Sequence, residues 1–248
     1  MARSLVTGLG LEWDRRLAVV DTVTGRALTG RREPKLLMLS ARMTGDRVRL
    51  DTPAGHEVES DDDLSHWLGR AVRLSRPPSD RQPEYDFPID PDDESGAWGV
   101  WRGPVDVWHD STRTRVSIIS RASLRHWPVR RFRPNLVVDG GGEDELVGRR
   151  IRVGSVVMDV MKRIDRCVMV TRPQPGGIER DTGVLKTVLH EHDGFLGVGA
   201  VVVNPGRLRL GDEVTDVGPR PESSEQQAMG PSRSPSATRR PPWPVAPA

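Results

Sequence analysis

The sequence contains a single cysteine, Cys167, in 248 residues. One cysteine excludes an intramolecular disulfide, a zinc site of the CxxC type and a cysteine-held iron–sulfur cluster. It fits a reducing compartment, where thiols remain free. No stretch approaches the roughly 18 consecutive apolar residues of a membrane helix, and the N-terminus lacks the apolar region of a secretory signal. We therefore expect a cytoplasmic protein without a membrane partner.

Lysine is scarce, and most of the chain has no excess of either charge. There are 37 basic and 35 acidic side chains, a formal net charge of +2. Four arginines and two glutamates fall in residues 219–248, so this segment accounts for the whole net charge. Nucleic-acid-binding domains usually carry a basic excess over their folded part. We therefore expect no nucleic-acid partner.

Short runs rich in Val and Ile predominate and predict a β-rich α+β fold. The strands expected include residues 16–21, 35–40, 116–120, 150–158, 167–171 and 195–203, with one helix from Asp61 to Gly69. Composition divides the chain into residues 1–76, an acidic, proline-rich connector over 77–104, a second β-rich region over 105–218, and a tail over 219–248. The tail is rich in Pro, Ser and Arg, so we expect it to be disordered.

Residues 111–138 hold seven arginines and no carboxylate. Arginine forks suit phosphate oxygens, which predicts an anion pocket. The alternative, a solvated face paired with the acidic segment before it, is equally consistent with the spacing.

Cys167 has Lys162, Arg163 and Arg166 nearby in the sequence, and cations favour a reactive thiolate. Taken alone, it is more typical of a buried, inert cysteine. His190 and His192 resemble a metal-binding pair, but no third ligand is evident, so an exposed loop is the better interpretation. No GxGxxG, P-loop or GxSxG motif occurs.

Several segments, in order, resemble the MOSC family. Residues 13–21 and 28–36 are similar to the β-barrel region that accompanies MOSC domains. Phe132-Arg133-Pro134-Asn135-Leu136-Val137-Val138 resembles the RPN strand of the MOSC domain, and Arg166-Cys167-Val168-Met169-Val170-Thr171 resembles its RCxxxT segment. The ending also fits, with residues 183–187, 204–206 and 211–212. The resemblance therefore identifies the chain as a MOSC domain protein with the N-terminal β-barrel region.

This resemblance implies a molybdenum enzyme similar to the mitochondrial amidoxime-reducing component and its bacterial relatives. It implies that Cys167 is the catalytic metal ligand, and that the molybdenum cofactor (Mo-molybdopterin) is contacted by Arg15, Thr114, Arg133, Asn135 and Arg166. The implied reaction is a two-electron reduction of an N-hydroxylated base, amidoxime or hydroxylamine. No acid–base residue follows from the sequence, and His109 and Asp110 are candidates by position alone. The electrons are expected from a separate redox protein.

One departure from the family pattern leaves a second interpretation open. Family members begin with a strand carrying a PVKS-like segment whose Lys and Ser contact the cofactor, and no such segment precedes Trp13. The alternative is therefore a non-catalytic module that binds or carries the cofactor or sulfur. A third interpretation is a structural protein without either activity. Molybdenum content and turnover distinguish the three.

Overall fold

The structure is a computed structural model that describes residues 3–45, 47–90 and 93–222. The expected tail over 219–248 therefore lies outside the described residues from position 223 onward. The described strands are β1 (Arg3–Thr7), β2 (Gly10–Leu11), β3 (Ala18–Asp21), β4 (Ser40–Thr44), β5 (Arg47–Asp51), β6 (Glu57–Val58), β7 (Val72–Ser75), β8 (Glu84–Pro88), β9 (Trp98–Arg102), β10 (Val116–Ser120), β11 (Leu136–Val138), β12 (Arg149–Val153), β13 (Val156–Asp165), β14 (Phe195–Asn204), β15 (Gly206–Arg209) and β16 (Val214–Pro219). The helices are α1 (Asp61–Leu68), α2 (Arg121–Leu124), α3 (Val129–Phe132) and α4 (Gly183–His192), with 3-10 helices at Pro34–Met38, Glu143–Leu146 and Val168–Thr171.

A six-stranded sheet forms the centre of the molecule, in the order β11-β10-β14-β13-β12-β16. Only β10 and β11 run parallel, and the other neighbours are antiparallel. Apolar residues of these strands pack into one core that includes Val116, Ile118, Ile151, Met158 and Val198, each at most 1 % exposed. The prediction of a β-rich α+β fold is confirmed.

The N-terminal strand β1 completes a second, smaller sheet. It pairs with β15 on one side and with β2 on the other, in the order β15-β1-β2. The side chain of Val6 enters the central core with no exposed surface. The first residues of the chain are thus built into the same core as β15, which lies about 200 positions later in the sequence.

The predicted helix over residues 61–69 is confirmed as α1. Ser60 and Asp63 form a capping box, in which each side chain accepts from the backbone amide of the other residue. Gly69 ends the helix in the left-handed region, at φ 74°, which glycine adopts without strain. Leu64 and Leu68 bury the apolar face against β3 and β7.

The segment expected to be a connector contains a β-hairpin, formed by β8 and β9. Its Tyr85 ring packs against Trp101 and Trp108, with ring centroids 5.4 and 6.0 Å apart. The Trp108 indole donates a 2.9 Å hydrogen bond to the carbonyl of Ser75. The hairpin therefore belongs to a buried aromatic cluster, although composition suggested a surface excursion.

Two predicted strands are short 3-10 helices instead. In residues 35–40, Pro34 favours a helical start, and the Glu33 carboxylate caps the amide of Lys35. In residues 167–171, the hydroxyl of Thr171 donates to the carbonyl of Val168, 2.8 Å away, and Val170 is buried against α4. Local hydrogen bonds and packing override the β propensity of these Leu- and Val-rich runs.

Two further expectations are corrected. Residues 150–158 form parts of two antiparallel strands, β12 and β13, which turn at Gly154. His190 and His192 lie in the last turn of α4, not in a loop, because Val184 and Val188 anchor this helix in the core. Among the described residues, no helix has the combination of length and apolar character that a membrane crossing requires.

Candidate functional site

A recess of about 260 Å³ opens where β10, the end of α3 and the end of β13 meet. It is lined by all six residues that the sequence singled out, namely Arg15, Thr114, Arg133, Asn135, Arg166 and Cys167. These positions span more than 150 residues of sequence, and the fold brings them to one place. His109 and Asp110, the two candidates named by position, line the same recess.

Cys167 lies directly before the 3-10 helix Val168–Thr171. It is a free, half-buried thiol in extended backbone, at φ −117° and ψ −179°. Its carbonyl accepts from the amide of Val170, 3.2 Å away, and this bond closes the first turn of that helix. The thiol is therefore held at a fixed point of the recess wall while remaining accessible to a ligand.

Arg166, beside the cysteine, is held by backbone carbonyls and not by a carboxylate. Its Nε donates to Leu196 at 2.8 Å, and its Nη1 donates to Phe132 at 3.2 Å. Burial lowers the pKa of Arg166 to about 10. Gly197 makes this approach possible, because a Cβ atom there would lie 3.3 Å from Nη2 and 2.6 Å from the carbonyl oxygen of Ile118. The glycine-interrupted strand β14 thus provides the space that Arg166 occupies.

Arg133 ends α3 in the left-handed region, at φ 50° and ψ 46°. This conformation is strained for a residue with a Cβ atom, and such strain is concentrated at functional sites. The described residues give its guanidinium no hydrogen bond or ion pair. Desolvation in the recess, together with the nearby Arg15, lowers the pKa of Arg133. A bound anion would offset both the desolvation of Arg133 and its repulsion by Arg15.

Asn135 is used largely to build the recess. Its Oδ1 accepts from the amide and the hydroxyl of Ser117, at 2.8 and 3.0 Å, which fixes the start of β11 beside β10. Its Nδ2 donates to Asp14 at 2.9 Å. One amide hydrogen is left for a ligand. Asn135 thus connects the central sheet to the turn that presents Arg15.

Arg15 comes from the N-terminal region and is also left-handed, at φ 54°. The amide of Trp108 donates to its carbonyl at 3.0 Å, and its guanidinium donates to Asp110 at 2.9 Å. The Arg15 guanidinium lowers the pKa of the Asp110 carboxyl. Burial, with Arg15 and Arg115 nearby, lowers the pKa of His109 to about 3, so this imidazole is neutral.

Thr114 and Arg115 form the wall at the start of β10. The Thr114 hydroxyl donates to the hydroxyl of Ser111 at 2.9 Å. Gly199 makes room for the Thr114 side chain, because a Cβ atom at position 199 would lie 2.5 Å from Cγ2 of Thr114. Arg115 donates to the carbonyls of Ser111 and Thr114 at 3.0 and 2.9 Å, and burial lowers its pKa. The sequence placed Arg115 in the arginine-rich stretch but did not distinguish it from its neighbours. Its place just before a buried strand was the available signal.

The arginine-rich stretch therefore divides into two groups. Arg115, Arg131 and Arg133 line the recess. Arg121 instead pairs with Asp139, and Arg125 with Glu191, on the surface. The acidic residues of the preceding segment pair with other arginines, such as Glu94 with Arg31 and Arg172. Part of the stretch therefore lines a recess, as the anion-pocket interpretation requires. The other interpretation is wrong about the pairing, because Arg121 and Arg125 lie on the surface but pair with carboxylates outside the acidic segment.

Three buried polar atoms of recess-lining side chains have no hydrogen-bond partner among the described residues. They are Nε2 of His109, Nε of Arg131 and Oε1 of Gln174. Buried polar groups are nearly always hydrogen-bonded, so unsatisfied ones call for an explanation. Three of the seven such atoms among the described side chains border this recess, as expected of a site that a ligand completes. Sequence reasoning had given no role to Gln174.

The donor set of the recess limits the metal chemistry that fits there. The described residues contain no group of three or more His, Cys, Asp or Glu side chains that could hold a metal ion. A metal at Cys167 would therefore bind a soft thiolate and would need ligands from a cofactor to complete its coordination. The surrounding arginines suit the anionic part of such a cofactor.

Two family descriptions match the chain and together cover most of it. Residues 1–72 match the MOSC N-terminal beta barrel domain, and residues 106–215 match the MOSC domain. Their order agrees with the order of the two β-rich regions in the fold. No protein with a curated description matches the chain.

Solved structures resemble the chain only slightly. YiiM from Geobacillus stearothermophilus is 14 % identical, with a TM-score of 0.36, over 48 % of this chain and 67 % of that one. YiiM from Escherichia coli is 17 % identical, with a TM-score of 0.35, over 51 % of this chain and 64 % of that one. A hypothetical protein is 16 % identical, with a TM-score of 0.36, over 47 % of this chain and 58 % of that one. The chain thus spans less than two thirds of two of these three proteins.

Proposed function

The chain belongs to the MOSC family, and from this premise we propose that it binds the molybdenum cofactor in the Cys167 recess. We propose further that it is an oxidoreductase that reduces N-hydroxylated bases, amidoximes or hydroxylamines. The observation that carries the proposal is that the cysteine, five arginines and Asn135 line one cavity. No single one of these residues would support the proposal without the others.

The residues present fit this cofactor. Cys167 would supply the soft thiolate ligand. Arg15 and Arg133 would bind the phosphate of the pterin, since both project guanidinium groups from strained turns at the recess. Thr114 and the remaining amide hydrogen of Asn135 would contact the same group, and Arg166 would lie beside the metal.

The two-electron reduction itself would be supplied by the bound cofactor, while the protein binds, orients and tunes. Arg166, held by carbonyls, places a positive charge next to Cys167. His109 is neutral and Asp110 is ionised beside Arg15, so neither is suited to donate a proton near neutral pH. Loss of the hydroxyl oxygen as water consumes two electrons and two protons, and both protons would come from solvent.

We propose that the electrons come from a separate redox protein and that the protein acts in the cytoplasm. The single cysteine supports the first point, since it cannot hold an iron–sulfur cluster. It also supports the second, because a free thiol suits a reducing compartment.

The decisive experiment is molybdenum and pterin analysis of the protein purified from a host that makes the cofactor. We expect stoichiometric molybdenum in the wild type and its loss in Cys167→Ser. We expect pterin to be lost in Arg133→Ala but retained in Arg121→Ala, a matched control outside the recess. Absence of metal and pterin from the wild type would refute the proposal.

Turnover then separates the enzyme from a carrier. With an artificial electron donor, the loaded wild type should reduce benzamidoxime, and Cys167→Ser should not. Metal binding without any turnover, across amidoxime and hydroxylamine substrates, would favour a non-catalytic module that holds the cofactor or sulfur.

A further inference from the structure

His109 is a buried imidazole that the proposed function does not use. Its side chain lines the recess, and the residue is 5 % exposed. Its Nε2 atom is buried and has no hydrogen-bond partner among the described residues. Leaving a buried polar atom unpaired is unfavourable, which makes this nitrogen a candidate for contact with a ligand.

The surroundings of the ring determine which kind of ligand group it can meet. The backbone of Arg115 favours a protonated nitrogen on the His109 ring, as a carbonyl that accepts from a ring N–H does. Since Nε2 is the nitrogen without a partner, the donor is Nδ1. In a neutral imidazole the second nitrogen then carries a lone pair and can only accept. Nε2 is thus an acceptor.

The groups around His109 support this assignment of a neutral ring. Arg15 and Arg115 are cationic neighbours that disfavour a charged imidazolium, and Asp110, which would favour one, is already engaged by Arg15. Nε2 is therefore an acceptor in a recess whose charged side chains are mostly arginines, which only donate. A ligand with only anionic groups would satisfy the arginines and leave Nε2 unpaired.

We propose that His109 is a positioning residue whose neutral Nε2 accepts a hydrogen bond from an N–H or O–H group of the molecule bound in the Cys167 recess. It would select a ligand that carries a hydrogen-bond donor in addition to an anion. The inference rests on the proposed function only for the identity of that molecule. The donor belongs either to the pterin or to the N-hydroxylated substrate, and both offer such groups.

The first test is independent of cofactor loading. Long-range ¹H–¹⁵N spectra of the full chain, with His109 assigned by its absence in His109→Gln, report the tautomer directly. We expect a neutral ring with the proton on Nδ1 at pH 6. A proton on Nε2, or a charged ring at that pH, would overturn the proposal whether or not the protein binds molybdenum.

The second test compares three variants for cofactor content and kinetics. His109→Phe removes the acceptor, His109→Gln keeps an amide oxygen as a substitute, and His126→Phe changes an exposed histidine outside the recess. We expect His109→Phe alone to weaken binding of the molecule that carries the donor, by about tenfold. This is the effect expected when a donor is left unpaired in a buried site. Thermal unfolding of each variant identifies any loss that is due to misfolding.

The quantity that changes identifies the donor. Reduced molybdenum and pterin content in His109→Phe assigns the donor to the cofactor. Unchanged content with a raised KM for benzamidoxime and an unchanged kcat assigns it to the substrate. Equal behaviour of His109→Phe and the wild type in both measurements, with both folded, would refute the acceptor role. A wild type without cofactor would refute the proposed function, and the spectra would then decide the state of His109 separately.

Discussion

Two arginines of the central sheet, one on β12 and one directly after β13, differ in the groups that balance their charge. Arg150, on β12, forms a bidentate pair with Asp159, at 2.7 and 3.0 Å, and this carboxylate raises its pKa. Arg166, at the end of β13, is bound to backbone carbonyls, and burial lowers its pKa. The first arginine is neutralised within the protein. The second has no carboxylate partner among the described residues, so its charge is not neutralised next to Cys167.

The largest effect is expected on the neutralised side. Arg150→Ala leaves the carboxylate of Asp159, which is fully buried, without its bidentate partner. We expect the free energy of unfolding to fall by about 3 kcal/mol, because a buried carboxylate loses its bidentate guanidinium partner. Chemical denaturation measures this. A loss below about 1 kcal/mol, the range of exposed pairs, would show that the other contacts of Asp159 compensate for the loss of Arg150.

On the recess side, the neutral His109 should make stability depend on pH. Its pKa is about 3 in the folded protein and 6.5 in the reference state. Between these values the unfolded chain binds more protons, so the free energy of unfolding rises with pH and levels off above pH 6.5. The rise from pH 4 to 6.5 should be about 3 kcal/mol. Denaturation of the wild type and His109→Gln at several pH values tests this, since the variant should lack the rise.

Protonation of Asp110 adds a separate effect at lower pH. Its folded pKa is lowered by Arg15, so the stability it contributes is present above its reference pKa of 3.8 and lost as the pH falls below that value. Asp110→Asn should remove only this acidic part of the profile. If instead it removed the rise up to pH 6.5, the assignment of that rise to His109 would be wrong.

The glycine that admits Arg166 provides a fourth test. Gly197 has φ 75°, and a Cβ atom would meet the carbonyl of Ile118. We expect Gly197→Ala to destabilise the fold by about 2 kcal/mol and to displace Arg166. Gly176→Ala is a useful control, because Gly176 also has a positive φ but no atom within 4 Å of a Cβ position. The difference between the two variants isolates the steric contribution.

The smallest effect should have the opposite sign. Arg133→Gly removes a side chain from the left-handed backbone at φ 50°, which glycine adopts without strain. We expect the free energy of unfolding to rise by about 1 kcal/mol or stay unchanged, while pterin content falls. A clear loss of stability would mean that Arg133 supports the fold, and the comparison with Arg150 would then fail.

The sequence predicted the composition of the recess better than the form of its walls. Cys167, Arg133 and Asn135 were found because short motifs keep functional residues at fixed spacing. The backbone around Cys167 was predicted as a strand, because the run of Val and Met gives no sign of the bond between Thr171 and Val168. The role of Gln174 depends on a contact among distant segments, which single-sequence periodicity does not report.

Other errors have the same origin. Proline and acidic residues in 77–104 suggested an exposed connector, yet Tyr85 is buried between Trp101 and Trp108. Only the tertiary arrangement brings these three rings together. The motif His190-Glu191-His192 drew attention to its polar residues, whereas Val184 and Val188, one and two turns earlier, determine that the segment is helical.

The pairing of β1 with β15 bears on how this protein can be divided. The family boundaries suggest a cut near residue 105, but such a cut would remove β1 and uncover the backbone edge of β15. An uncovered strand edge is a template for pairing with other chains. The isolated C-terminal half would also lack Arg15 and Val6, and we expect it to self-associate. The regions that the family descriptions delimit are therefore not independently folding units in this molecule. A site with residues from both regions requires the whole chain.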